Sequence, residues 1–249
     1  MPRASREKTR PSAFWPLAAI AVPLIALLFK LEIRGANKLP REGAYVLAPN
    51  HYSEADPLAV ALAVWKAGRA PRFMAKESLF RVPVLGWILR STGMVPVARS
   101  SSASSARQTL ETSETLVRLG RGVIVYPEGS LTREPDLWPM RGKTGAVRLA
   151  MAAGIPVIPM AQWGVQQVMP RYGKLRLWAL RRRVTVLFGD PVDLSAFQGD
   201  GQPSNLVGAT DRVMGEIAGL LSQLRGEPAP PARWNPADHG QKETGRLEP

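Results

Sequence analysis

Cysteine is absent from this chain, which removes disulfides, thiolate nucleophiles and cysteine metal sites together. Histidine is nearly absent too: there are two, His51 in the body of the sequence and His239 in a proline-rich stretch near its end. So few imidazoles leave no ligand set for a structural zinc, and they disfavour a metal-dependent hydrolase. No metal and no bound cofactor is expected. The chain has no Gly-x-Ser-x-Gly elbow, which argues against a serine nucleophile of the hydrolase type. Aromatic residues make up 7% and no nucleic-acid-binding motif occurs, so nucleic acid is not an expected partner. Acidic residues are also short, 20 against 33 basic, for a net charge of +13. Such a molecule is drawn to polyanions, although charge alone does not say which.

No long uninterrupted apolar run is present either. The stretch from Phe14 to Phe29 is apolar but carries Pro16 and Pro23, and a simple spanning helix needs about 20 apolar residues. A signal peptide shares the basic start and apolar middle, but no small-x-small cleavage site precedes Ile33. With Arg3, Arg6, Lys8 and Arg10 just before it, the favoured reading is a kinked segment buried in one leaflet with its cations on anionic headgroups. The alternative is a helix packed on the protein's own core.

What is present organises as one domain with two appendages. Residues 1–12 form a basic tail, 13–31 the membrane-associating segment, 32–225 the folded domain, and 226–249 a tail expected to be disordered because of Pro228, Pro230, Pro231 and Pro236. Within the domain, strand candidates lie at 32–34, 44–48, 72–75, 93–99, 123–126, 156–160 and 184–188. Helical patterns lie at 58–65, 82–89, 110–119, 145–153 and 213–224. Arg181-Arg182-Arg183 reads as a solvated loop before the last strand, with a binding patch as the other reading. The alternation predicts an α/β fold with a largely parallel central sheet flanked by helices, and a site at strand ends.

The chemistry centres on Asn50-His51-Tyr52-Ser53-Glu54-Ala55-Asp56. An imidazole removes a proton near neutral pH, and a carboxylate on its other nitrogen holds the tautomer and stabilises the imidazolium. The segment places His51 at a strand end and Asp56 at a helix start, where a loop can fold them together. With no nucleophile elbow, the hydroxyl that such a pair activates is the substrate's.

Three further blocks come after it in order: Gly93-Met94-Val95-Pro96-Val97-Ala98-Arg99, Tyr126-Pro127-Glu128-Gly129-Ser130 and Ile155-Pro156-Val157-Ile158-Pro159-Met160. With the His51 block, this series resembles the PlsC-like glycerolipid acyltransferases, also called 1-acylglycerol-3-phosphate or lysophosphatidic acid acyltransferases. The resemblance runs from about Ile33 to about Leu194. It implies direct transfer of a fatty acyl group from acyl-CoA or acyl carrier protein to the free hydroxyl of a lysophosphatidic-acid-type acceptor, at an anionic membrane surface on the cytoplasmic face of the cell membrane. It also implies that Arg99, Glu128, Gly129 and Ser130 meet the acceptor, and that Lys76 and Lys143 match basic positions that touch phosphate or the donor. Asn50 is assigned to the site beside the dyad, with bracing of the loop as its other reading. The family's third block often reads Pro-Glu-Gly-Thr-Arg, whereas Leu131 stands here after Ser130 and an arginine arrives only at Arg133. That departure leaves the headgroup open between lysophosphatidic acid, glycerol 3-phosphate and another lysophospholipid. A noncatalytic basic membrane-binding protein is the reading from another class.

Overall fold

The computed structural model describes residues 14–97, 103–198, 203–243 and 245. A five-stranded sheet has the order β1 (Phe29–Arg34), β7 (Arg182–Phe188), β6 (Val157–Trp163), β2 (Tyr45–Pro49), β5 (Gly122–Ile124). Beside it lies a parallel pair, β3 (Met74–Lys76) and β4 (Val95–Val97), joined to β5 by a bridge between Phe73 and Ile124. All neighbours are parallel except β6 and β7. That single reversal turns β1 and β7 around. Their starting ends therefore share a sheet edge with the finishing end of β2, next to His51.

Strand β2 is buried along its whole length, and its alternating side chains feed two cores. Val46 and Ala48 point into the layer of α4 (Ala103–Leu119), α5 (Gly145–Ala153) and α7 (Pro203–Arg225), against Leu116, Val147, Val213 and Ile217. Tyr45 and Leu47 point the other way, against Val60, Ala63 and Val64 of α2 (Asp56–Lys66). The sheet is thus sandwiched between helical layers, as the strand-helix alternation predicts. Helix α3 (Pro83–Ser91) flanks the small sheet, and the short α6 (Val165–Val168) comes directly after β6. Gly122 has to be glycine because a Cβ there would lie 2.1 Å from the Tyr45 ring.

The expected segment near the start is helix α1, Phe14–Leu28, with Pro23 inside it. Fifteen residues extend only about 22 Å at 1.5 Å each, less than a bilayer's hydrocarbon core. Among the described residues no helix is long and apolar enough to cross a membrane. One face of α1 packs through Phe14 and Ile25, and Trp15 lies edge-on to Trp65 of α2.

Three expectations are corrected. Arg182 and Arg183 belong to strand β7 and pair with Phe29 and Lys30, because β1 starts three residues earlier than its sequence pattern indicates. The expected strand over 93–99 is observed only at Val95–Val97, and residues 98–102 lie outside those described. Residues 226–243 are not a free tail. Trp234 O accepts from Arg141 N at 2.9 Å, His239 stacks on Trp234 at 3.4 Å, and Pro236 is buried. An indole and a ring-stacked histidine supply the anchoring that proline-rich composition conceals.

Candidate active site

His51 leaves the end of β2, and Asp56 is the first residue of α2. The turn between them closes through Asp56 N donating to Ser53 O at 3.1 Å. His51 Nδ1 and Asp56 Oδ2 are 3.0 Å apart. The same oxygen accepts from Tyr52 N at 2.6 Å and from Ser53 N at 2.8 Å. The carboxylate therefore sits on two backbone amides and at a helix start, both of which favour its negative charge. Burial pushes the other way and holds the Asp56 carboxyl above its ordinary range, opposed by His51 and by those amides. Its Oδ1 is buried without a hydrogen-bond partner. With Nδ1 engaged, Nε2 is the ring nitrogen left to accept a proton.

The ring is held from its face as well. Tyr126 stacks on it at 4.0 Å, and Phe73 lies parallel behind Tyr126 at 6.3 Å. His51's backbone is clamped by the Pro127–Ser130 turn and by Thr132 just beyond it. Its N–H donates to Glu128 Oε1 at 2.9 Å, and its carbonyl accepts from Thr132 N at 2.7 Å. Glu128 Oε2 accepts from Met140 N at 3.1 Å. Burial pushes the Glu128 carboxyl up to about 8, with the Met140 and His51 amides pulling it back.

Glu128 is fully buried with both oxygens on backbone amides. It joins two loops at the dyad through these hydrogen bonds. Asn50 is also buried: it donates to Gln162 O and accepts from Gln162 N, and so ties the end of β2 to β6. Gly129 has φ +69°, and the Lys143 side chain passes 3.1 Å from where a Cβ would stand. A side chain at 129 would be strained and would displace that lysine. Lys143 N donates to Pro127 O at 2.7 Å, which brings α5's approach onto the turn.

Ser130 Oγ donates to Glu243 O at 3.1 Å, and Lys143 Nζ lies 3.6 Å from the Glu243 carboxylate. Lys143 and Glu243 border a cavity of about 260 Å³, whose walls also include Glu128, Met140, Thr210 and Pro236. Arg133 is buried, with Nη2 on Gly245 O and Nε without a partner, and Leu131 is buried beside it. Lys76 is exposed at the end of β3, and among the described residues no hydrogen bond or ion pair joins it to the dyad. Arg99 lies outside the described residues.

The fold thus gathers His51, Asp56, Glu128, Gly129, Ser130 and Lys143 at one edge. Sequence reasoning missed Tyr126 as the ring that faces His51, and Gln162 as the brace of Asn50. Tyr126 directly precedes Pro127-Glu128-Gly129, so an aromatic at that strand end was a usable signal. Gln162 carried none.

This constellation can deprotonate a hydroxyl at Nε2 and hold an anionic group near Lys143. It also has an apolar neighbour: a groove of about 120 Å³ between α1 and α2, with Phe14, Ile25, Leu62, Trp65 and Phe73 in its walls.

Comparison with known proteins bears on the same region. The chain is 31% identical over 143 residues to the chloroplastic 1-acyl-sn-glycerol-3-phosphate acyltransferase BAT2 of Brassica napus, covering 57% of this chain and 40% of that protein. It is 26% identical over 143 residues to the 1-acyl-sn-glycerol-3-phosphate acyltransferase of Borreliella burgdorferi, covering 57% and 55%. The match thus spans about half the length of these relatives, or less. The crystal structure of the 1-acyl-sn-glycerophosphate (LPA) acyltransferase PlsC from Thermotoga maritima superposes with a TM-score of 0.62 at 23% identity, over 88% of this chain and 80% of that one, and so shares its fold. The Acyltransferase family model matches residues 30–163, from β1 through the dyad and the Glu128 turn to the end of β6, and the chain belongs to that family.

Proposed function

We propose that the protein is a membrane-associated acyltransferase. It moves a fatty acyl group from acyl-CoA or acyl carrier protein to the free hydroxyl of 1-acyl-glycerol 3-phosphate, giving phosphatidic acid for phospholipid synthesis. The observation that carries this reading is the 3.0 Å pairing of His51 Nδ1 with buried Asp56, which directs Nε2 to act as base. His51 Nε2 takes the proton of the acceptor hydroxyl as its oxygen attacks the thioester carbonyl. The tetrahedral intermediate then collapses, the carbon–sulfur bond breaks, and the imidazolium returns the proton to the departing thiolate. No acyl-enzyme forms. The thiol leaves readily, so activation and orientation of the acceptor dominate the task.

Lys143, Ser130 and the Gly129 turn, together with Arg99 and Lys76, supply the cations and donors for the acceptor phosphate or the donor's phosphates. The apolar groove that ends at Phe73 is suited to an acyl chain, because its wall continues through Tyr126 to His51. The relatives named 1-acyl-sn-glycerol-3-phosphate acyltransferases support the same acceptor. Location at the cytoplasmic leaflet is supported by the basic start of the chain and by an acceptor and product that reside in lipid.

The test is phosphatidic acid formation from lysophosphatidic acid in anionic vesicles, with palmitoyl-CoA and then palmitoyl acyl carrier protein as donor. His51→Ala is expected to lower kcat/KM about 10²- to 10⁴-fold. Activity on glycerol 3-phosphate or another lysophospholipid alone would move the acceptor assignment. Full activity of His51→Ala would sink the dyad chemistry.

A further inference from the structure

The segment between Tyr172 and β7 alternates apolar and basic residues at the surface. Trp178 is 81% and Leu177 67% exposed, and Leu175 and Leu180 are exposed beside them. Lys174, Arg176 and Arg181 stand exposed among these. The single 3₁₀ turn Leu177–Ala179 buries only Ala179. No acidic residue occurs between Asp136 and Asp190. Among the described residues the one ion pair between residues 174–183 and another element is Arg183 with Glu32, 4.0 Å apart, and Lys174, Arg176 and Arg181 have none. Large apolar side chains ringed by cations, with no described residue folded over them, have one complementary surface: apolar at depth and anionic at its face.

Position adds a second argument. Arg181 N donates to Leu28 O at 2.9 Å, and Arg182 pairs with Phe29, so the loop is fastened where α1 runs into β1. The end of the loop thus meets the end of α1, on which Ile20, Leu24 and Leu27 are all more than half exposed. Because β6 and β7 are antiparallel, this junction lies on the same sheet edge as the end of β2 and His51.

We propose that residues 174–183 are a second membrane-docking element, which together with the outer side of α1 seats the molecule on an anionic bilayer with its dyad edge toward the lipid. Trp178 and Leu177 enter the headgroup boundary, and Lys174, Arg176 and Arg181 meet lipid phosphates. The purpose of this seat rests on the reading of the acceptor as a lipid. The seat itself is measured without turnover, so either can fail alone.

The experiment is flotation of the full chain with phosphatidylcholine vesicles with and without phosphatidylglycerol, at low and high salt. Wild type floats with the anionic vesicles, and less so as salt rises. Leu177→Ser with Trp178→Ser, and separately Arg176→Gln with Arg181→Gln, each lower the partition coefficient about tenfold, while circular dichroism and melting stay as in wild type because these side chains are exposed. In brominated-lipid vesicles, Trp178→Phe loses a quenched component of the tryptophan emission. Flotation of both double variants equal to wild type, equal flotation on neutral vesicles, retention of RNA in place of vesicles, or unchanged quenching in Trp178→Phe would each overturn the proposal.

Discussion

At the residue scale, one oxygen does the work at the dyad. Asp56 Oδ2 alone meets His51 and the two amides, while Oδ1 has no partner. An asparagine can keep its own oxygen at the Oδ2 position, so Asp56→Asn preserves the geometry and removes the charge, whereas Asp56→Ala removes both. We expect Asp56→Asn to retain more kcat/KM than Asp56→Ala. We also expect only the alanine variant to lose about 2–4 kcal/mol in urea melts, since it strands two buried amides. Glu128 gives a pH signature. Its folded carboxyl titrates at about 8 against 4.5 for the ordinary group, so its favourable contribution is complete below that ordinary value and is lost as pH rises through the folded one. Glu128→Gln cannot ionise. In thermal melts between about pH 5 and pH 8, the difference in Tm between variant and wild type should shift steadily in the variant's favour as pH rises. The pairing of His51 with Asp56 was legible because a lone histidine with a carboxylate five positions on is a local pattern. The brace made by Glu128 was not, because its partner His51 lies 77 residues away, and Gln162, the partner of Asn50, lies 112 residues away.

At the scale of elements, the strands and helices were read from period and punctuation, and the errors fall where long-range pairing overrode the local pattern. β1 extends back to Phe29 because β7 offers it a partner, although 29–31 looks like the end of an apolar helix. The turns that deliver β2 and β5 are locked by Arg69, a buried guanidinium that donates to Pro40 O, Gly43 O and Gly120 O and lies over the Tyr45 ring. Nothing in sequence sets Arg69 apart from the exposed arginines around it. Arg69→Met leaves three backbone carbonyls without these donors and strips a buried cation from between the turns, and should cost about 3–5 kcal/mol of stability in denaturant titration, with the dyad's own hydrogen bonds untouched. Arg69→Lys should recover only part of that, since an ammonium lacks the planar fork.

At the scale of the whole molecule, the antiparallel contact of β6 with β7 places the α1 junction, the 174–183 loop and His51 on one edge. The expected consequence is a split in kinetics. The Leu177→Ser, Trp178→Ser pair should slow turnover of lysophosphatidic acid embedded in anionic vesicles about tenfold. It should leave turnover of a short-chain acceptor dispersed below its micelle concentration near wild type. Steady-state rates on the two acceptor forms decide it. The sequence by itself determined the reactive pair, the order of strands and helices, the excess of positive charge and the absence of thiol chemistry, since each of these is a property of residues or of near neighbours along the chain. Only the tertiary structure decided that Glu128 and Gln162 brace the site, that the Trp234 segment docks onto Arg141, and that the loop before β7 is fastened to the end of α1, far away in sequence. Those outcomes depend on hydrogen bonds and packing between segments roughly a hundred residues apart, which local periodicity does not encode.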